Sequence, residues 1–243
     1  MAAEAGPGRS GPADRRHAVP FDAEHFARQA AAGAGPADAL AAFRQIYQSN
    51  HWRGSESASG AGASGDQTAR IRAELPVLCR ALGVRRLLDL PCGEGHWMAR
   101  VDLAGITYLG ADLLPEVVGR AALDHGGAGR EFLVLDLTAS PLPPADLLLC
   151  RDALVHLSFA DIGRALVNLR RAGIPWLLTT TFPDEPANED IVTGDWRPLN
   201  LERAPFHFPA PVRLFSEGCT EGAGRFADKS LALWRIADLP VPA

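Results

Sequence analysis

Arg86-Leu-Leu-Asp89-Leu-Pro-Cys-Gly93-Glu-Gly95-His-Trp-Met98 decides the fold. Its first five residues, RLLDL over 86–90, form an apolar run of strand length bounded by Pro91 and a glycine pair. Glycine at 93 and 95 lets backbone pass close to a ligand where a Cβ would clash. The spacing predicts a helix opening at Gly95 and running to Asp102, whose N-terminal N–H groups would face that ligand. The dinucleotide fingerprint needs a third glycine, and position 98 is methionine. Taken alone, the glycine pair reads equally well as a plain strand-to-helix turn.

Strands and helices alternate from there. Thr107–Ala111, Glu131–Leu135, Asp146–Cys150 and Pro175–Thr180 read as strands two to five. Pro115–Leu123 and the amphipathic stretch Phe159–Ala172 read as helices between them, the first with proline in its opening turn. Units of this kind predict an α/β chain with a doubly wound, parallel sheet. Val212–Ser216 and Ser230–Ile236, joined by a glycine-rich turn over 218–224, predict an antiparallel hairpin that closes it.

Three parts precede the sheet. Residues 1–20 are Gly, Pro, Ala and charge, the composition of a disordered terminus. Residues 21–65 predict a helical arm broken at Gly33–Pro36, with Leu40, Phe43, Ile46 and Tyr47 at helical spacing. The arm ends in Gly54-Ser-Glu-Ser-Ala-Ser-Gly-Ala-Gly-Ala-Ser-Gly65. By composition this segment is a linker, but Tyr47 and Trp52 beside it favour a lid over a site. Residues 66–243 form the main domain, opening with cap chemistry at Asp66–Thr68 and a helix through Leu82.

Asp112 lies 17 residues after Gly95 at the end of the second strand, close to the spacing expected of a ribose-binding carboxylate. Asp136 ends the third strand, where an acid reaches an adenine amino group. Either could instead cap a turn. With Asp89, however, three acids end three neighbouring strands on one sheet edge, and buried carboxylates are too costly to gather there without a polar ligand.

These blocks, DLPCGEGHW (89–97), TYLGADL (107–113), FLVLDL (132–137) and DLLLCRDALVHLS (146–158), resemble the class I S-adenosylmethionine-dependent methyltransferases over about residues 40–240. IYQSNHWRGSESASGAGAS (46–64), ANEDIVTGDWRPLNLERAPFHFPAP (187–211) and DKSLALWRI (228–236) resemble a bacterial subgroup found with saccharide and natural-product gene clusters. The chain departs from that subgroup at Glu94, where aspartate is commoner. The resemblance implies a Rossmann-like, seven-stranded sheet with an antiparallel last strand and S-adenosyl-L-methionine as cofactor. It also implies that Gly93 and Gly95 meet the methionine part, Asp112 the ribose, and Asp136 with Leu137 the adenine. Asp89, Leu113 and Arg151 complete the expected cofactor set. In the lid reading, Ser59 (or Ser57) and Arg72 hold the cofactor carboxylate while Trp52 closes the site.

After the fourth strand comes Arg151-Asp152-Ala-Leu-Val-His156. If a helix begins there, Asp152 and His156 share a face, and together they suit proton removal from a hydroxyl or an amine. His156 reads otherwise as a packing histidine, and Asp152 as a helix cap. Asn188, Asp190, Asp195 and Trp196, in a long Pro/Asn-rich loop with Arg197 and Asn200, are expected to wall the acceptor site. No ligand spacing calls for a metal.

The activity this implies is methyl transfer to a hydroxyl or amine of a small polar natural product or sugar-bearing acceptor, aminoglycoside-like compounds included. A nicotinamide-dependent oxidoreductase is disfavoured by the missing glycine and the antiparallel ending. A non-catalytic cofactor-binding module is the remaining alternative. The net charge of −5 argues against nucleic acid, and no apolar run approaches a membrane span. Four cysteines without C-x-x-C spacing, and no signal-like N-terminus, point to the cytoplasm. The oligomeric state is not legible. Lys229 is the only lysine, and it reads as a mark of GC-rich codon usage.

Overall fold

The structure is a computed structural model that describes residues 19–240. The disordered terminus expected over 1–20 lies almost wholly outside the described residues. Seven strands form one sheet: β1 (Arg86–Asp89), β2 (Thr107–Asp112), β3 (Arg130–Val134), β4 (Leu147–Cys150), β5 (Trp176–Thr181), β6 (Arg213–Ser216) and β7 (Ser230–Arg235). Their order is β3-β2-β1-β4-β5-β7-β6. β1 to β5 run parallel, while β7 runs antiparallel to both β5 and β6. This is the seven-stranded class I methyltransferase architecture.

Alternation along each strand divides the core in two. Leu88, Leu148, Cys150, Leu177, Ala232 and Trp234 pack on one face, against Ile162, Ala165, Leu166 and Leu169 of α5 (Phe159–Ala172). Leu87, Leu147, Leu149, Leu178, Leu231 and Leu233 pack on the other, against Ile71, Leu75, Leu78 and Cys79 of α3 (Ala69–Leu82). β4 is therefore apolar at every position, and β1 and β5 carry adjacent buried leucines, as a sheet covered on both faces demands. Gly83, left-handed at φ +66°, stops α3. No side chain caps the start of α3; the Thr68 hydroxyl donates to the Ser64 carbonyl instead.

The arm consists of α1 (His25–Ala31) and α2 (Ala39–Ser49), whose Phe26, Ala42 and Ile46 form a third small cluster. Asp38 caps α2 by accepting from the Ala41 N–H. α4 (Pro115–His125) packs on β2 and β3.

The helix expected over 95–102 does not form, and only a 3-10 turn at Met98–Arg100 follows the glycine pair. Trp97, Met98 and Val101 are all buried, which ties the stretch flat against the domain. The Asp102 carboxylate then accepts from the Ala104 N–H and turns the chain toward β2.

Candidate functional site

Strand order reverses between β1 and β4, and in open α/β sheets ligands bind beyond the carboxyl ends at such a point. A cavity opens there. Gly93 and Gly95 at the end of β1, Asp112 and Leu113 at the end of β2, Asp136 and Leu137 after β3, and Arg151, Asp152 and His156 after β4 line it. Trp52, Ser57 and Ser59 line it from above, and Phe43, Ile46 and Tyr47 line it from α2.

Gly93 and Gly95 adopt φ +54° and +74°, where a Cβ is strained. A Cβ at Gly93 would also lie 2.5 Å from Ser59 Oγ, so the 54–65 segment rests directly on the glycine turn. That segment is anchored as well: Arg151 donates to the Gly62 carbonyl at 2.9 Å.

Asp112 accepts the Gly93 N–H and the Leu114 N–H, each at 3.1 Å, one on each carboxylate oxygen. Burial pushes its carboxyl up to about 6 against those two bonds. A carboxylate has about four acceptor sites, so room remains for two more donors. Asp136 uses Oδ1 for the Thr138 N–H and hydroxyl, both at 2.7 Å, and its Oδ2 has no partner among the described residues. Trp52 Nε1 is buried without an acceptor among the described residues, and the Trp52 ring stacks on His156 with centroids 4.4 Å apart.

Asp89 and Arg72 do not reach the cavity. Asp89 lies beneath it, buried, accepting from the Tyr108 hydroxyl at 2.7 Å. Arg72 donates to the Gly65 carbonyl at 2.8 Å and so holds the end of the lid segment. Burial raises the Asp89 carboxyl to about 7. A carboxyl whose folded pKa exceeds its unfolded value near 3.9 stabilises the fold fully only below that value, and the benefit is lost as pH rises through the folded pKa. Asp89→Asn should therefore gain stability over the native chain progressively between about pH 4 and 7, by at most about 4 kcal/mol. Urea unfolding at pH 5 and pH 8 checks this. An equal difference at both values would mean that Asp89 does not titrate there.

Asp152 and His156 do not share a helix face. Asp152 is left-handed at φ +53°, and Leu154–His156 is a 3-10 turn. Asp152 is not a helix cap either. Its carboxylate contacts Lys229 Nζ at 2.7 Å and Arg151 at 3.1 Å. Burial opposes its charge, but these two cations outweigh burial and hold the carboxyl well below the usual range. Arg151 also grips Glu217 at 2.6 and 3.1 Å, and Lys229 lies 3.5 Å from Glu217. The lone lysine, read from the sequence as a codon-usage mark, thus sits inside a buried charge network.

His156 Nδ1 lies 2.9 Å from the Asp195 carbonyl. A carbonyl only accepts, so Nδ1 carries the hydrogen and Nε2 keeps its lone pair. Burial lowers the imidazole to about 4, despite the Asp195 bond and the Asp152 charge, so the ring is neutral at pH 7.

The long loop is organised differently from the expectation. Asn188 bonds the Asn200 and Ala204 carbonyls, and Asp190 accepts from the Phe159 N–H at the start of α5. The Asp195 carboxylate accepts from Phe26 and Ala27 N–H groups, docking α1. Arg197 is buried, donating to the Leu154 and Leu157 carbonyls. These side chains hold the loop in place, and of the four predicted wall residues only Trp196 lines a cavity. That cavity is a second, smaller one beside the first, sharing Trp52, Ser59, Asp152 and His156 with it. Sequence reasoning placed Tyr47 beside the lid but gave it no role in the site; its hydroxyl donates to Glu94 at 3.0 Å and pins α2 over the glycine turn. Sequence reasoning missed Glu217 and Glu221. For Tyr47, its place on the apolar stripe of α2 beside a polar turn was the available signal.

Residues 88–175 match the methyltransferase-domain family. The match is to a methyltransferase domain and spans about a third of the chain. The match begins in β1 and includes the glycine turn, Asp112, Asp136, Asp152 and His156. Among solved structures, human N-acetylserotonin methyltransferase in complex with S-adenosylmethionine shares the fold at 17% identity and TM-score 0.59, over 92% of this chain and 65% of that one. The chain thus spans just under two thirds of the human enzyme's length. The Burkholderia thailandensis 1,6-didemethyltoxoflavin-N1-methyltransferase, solved with 1,6-didemethyltoxoflavin and S-adenosylhomocysteine, shares it at 16% identity and TM-score 0.56, over 81% and 86%. No curated protein matches the chain in sequence. Among the described residues no helix is long and apolar enough to cross a membrane.

Proposed function

We propose that this protein transfers a methyl group from S-adenosylmethionine to a hydroxyl or amine of a small polar acceptor, of the natural-product or sugar-bearing kind. The reading rests above all on one arrangement: the left-handed glycine turn and the Asp112 carboxylate face one cavity at the switch point. S-adenosylmethionine is the cofactor of this domain, and the residues present fit it. Asp112 has acceptor capacity for two ribose hydroxyls. Asp136 Oδ2 can take the adenine amino group, with Leu113 and Leu137 supplying apolar contact. The glycine turn leaves the floor open to the methionine end.

The bound sulfonium supplies a methyl group for in-line displacement by an acceptor lone pair. The protein's part is to align that lone pair and accept the acceptor's proton. His156 Nε2 is the base in this reading, set in its tautomer by the Asp195 carbonyl. Asp152 acts on it only through its charge. Residues 21–65 act as arm and lid, with Trp52 and the 54–65 segment excluding water. The net charge favours a small molecule over nucleic acid. The four cysteines are free, which suits a reducing, cytoplasmic setting.

Calorimetric titration tests the cofactor reading. S-adenosylhomocysteine should bind and NAD should not. Asp112→Ala should weaken S-adenosylhomocysteine by about 1–3 kcal/mol, since two ribose hydroxyls lose their acceptor. Unchanged affinity removes Asp112 from the ribose role.

A further inference from the structure

The second cavity has a composition of its own. Phe21, Trp52, Phe182, Trp196 and Phe226 supply its large apolar side chains. Trp196 packs edge-on against Phe226 and Phe182, with centroids 5.1 and 6.2 Å apart. The other end is charged, with Asp152, Lys229 and Glu221. Because the slot shares Trp52, Ser59, Asp152 and His156 with the cofactor cavity, anything held in it lies beside the cofactor.

The charges at that end do not balance. Arg151 and Lys229 bring two cations, and Asp152 and Glu217 absorb both through contacts of 2.6 to 3.5 Å. Glu221 is a third carboxylate. Among the described residues it has no ion pair within 4.0 Å and one hydrogen bond, from the Cys219 thiol at 3.7 Å, although its charge also acts on Arg151 and Lys229. It is not remote from the cluster, because its Oε2 would lie 3.3 Å from a Cβ at Gly62, beside Lys229 Nζ and Asp152 Oδ2. His156 is neutral, so it does not offset the surplus. A slot with aromatic sides, three carboxylates and two cations at one end attracts a further cation mounted on a flat apolar body. Ring faces favour the positive group, and a charge-assisted bond to the carboxylate fixes it.

Resting on the methyltransferase reading, we propose that this slot is the acceptor site and that Glu221 selects an acceptor carrying a protonated amine on an aromatic ring. An anionic acceptor is rejected by the same carboxylate.

The test uses three probes with one ring: tyramine, its neutral alcohol analogue tyrosol, and its acidic analogue para-hydroxyphenylacetate. Each is titrated calorimetrically into the full chain saturated with S-adenosylhomocysteine. Tyramine should bind about tenfold or more tighter than tyrosol, and the acid weakest of all. In Glu221→Gln, which keeps the shape and removes the charge, tyramine and tyrosol should bind within about threefold of each other. S-adenosylhomocysteine affinity should stay unchanged in that variant. Equal binding of acid and amine overturns the proposal, as does a tyramine preference that survives in Glu221→Gln. Binding of none of the three while S-adenosylhomocysteine binds also overturns it. Failure of S-adenosylhomocysteine itself to bind the native chain overturns the methyltransferase reading instead.

Discussion

His156→Ala should lower turnover on a hydroxyl acceptor by about 10²- to 10⁴-fold, the usual loss when a positioned base is removed. Cofactor affinity, read by titration with S-adenosylhomocysteine, should stay within a few-fold, because Asp112, Asp136 and the glycine turn are untouched. Alanine also removes the ring stacked on Trp52 at 4.4 Å. His156→Gln keeps side-chain bulk without an imidazole, and it should lose turnover to a similar extent. If Gln restores the rate, His156 packs the site and Asp152 is the better candidate base.

The pH dependence follows from the same geometry. Burial holds His156 near 4. A base works only when unprotonated, so the acid limb that it contributes to kcat should lie near pH 4. Activity should not fall through pH 6.5, as it would for an exposed histidine. Folding stability runs the same way. The folded pKa lies below the unfolded value, so the neutral ring stabilises the fold fully above about pH 6.5 and loses that contribution as pH falls toward 4. On an amine acceptor the turnover loss should be smaller, since a neutral amine is already nucleophilic.

The strands were legible because their burial is simple. The leucines of RLLD, LLLC and WLLTTT are covered on both faces, so short apolar runs locate these strands to within a residue or two. The helix expected over 95–102 was not recoverable in this way. Its apolar residues 97, 98 and 101 suit a helix by spacing, but packing beneath the site and the Asp102 turn decide otherwise. That Asp112 and Asp136 line the cavity was readable because the carboxyl ends of parallel strands share one edge of the sheet. The acids and amides of the 188–200 loop were not. Asn188, Asp190 and Asp195 are polar and sit near the site in sequence terms, yet each is consumed by backbone groups that an irregular loop leaves unpaired. The identity of a side chain does not reveal whether it serves a ligand or its own loop. The charge network is hidden for a related reason: Arg151, Glu217 and Lys229 lie 66 and 12 residues apart, and only the hairpin of β6 and β7 brings them together.

Lys229→Met should cost about 3–5 kcal/mol in urea unfolding at pH 7, a large share of the stability of a typical domain. Methionine matches the lysine stem, so packing changes little. What is lost is the cation 2.7 Å from Asp152 and 3.5 Å from Glu217, in a place where the Lys229, Glu217 and Arg151 side chains are 6%, 3% and 5% exposed. Arg151 would then face the buried Glu217 and the partly exposed Asp152 without a second paired cation, and desolvation of Glu217 sets the cost. That account makes a stricter demand on a second substitution. Adding Glu217→Gln to Lys229→Met removes the buried carboxylate that the lysine had offset and should recover more than half of the loss, although Glu217→Gln alone destabilises. Sites in one network couple in this way, whereas independent sites add. A loss below about 1 kcal/mol for Lys229→Met would show that solvent screens the cluster as it screens a surface pair. Strict additivity in the double variant would show that the lysine stem, and not its charge, supports the hairpin against the sheet.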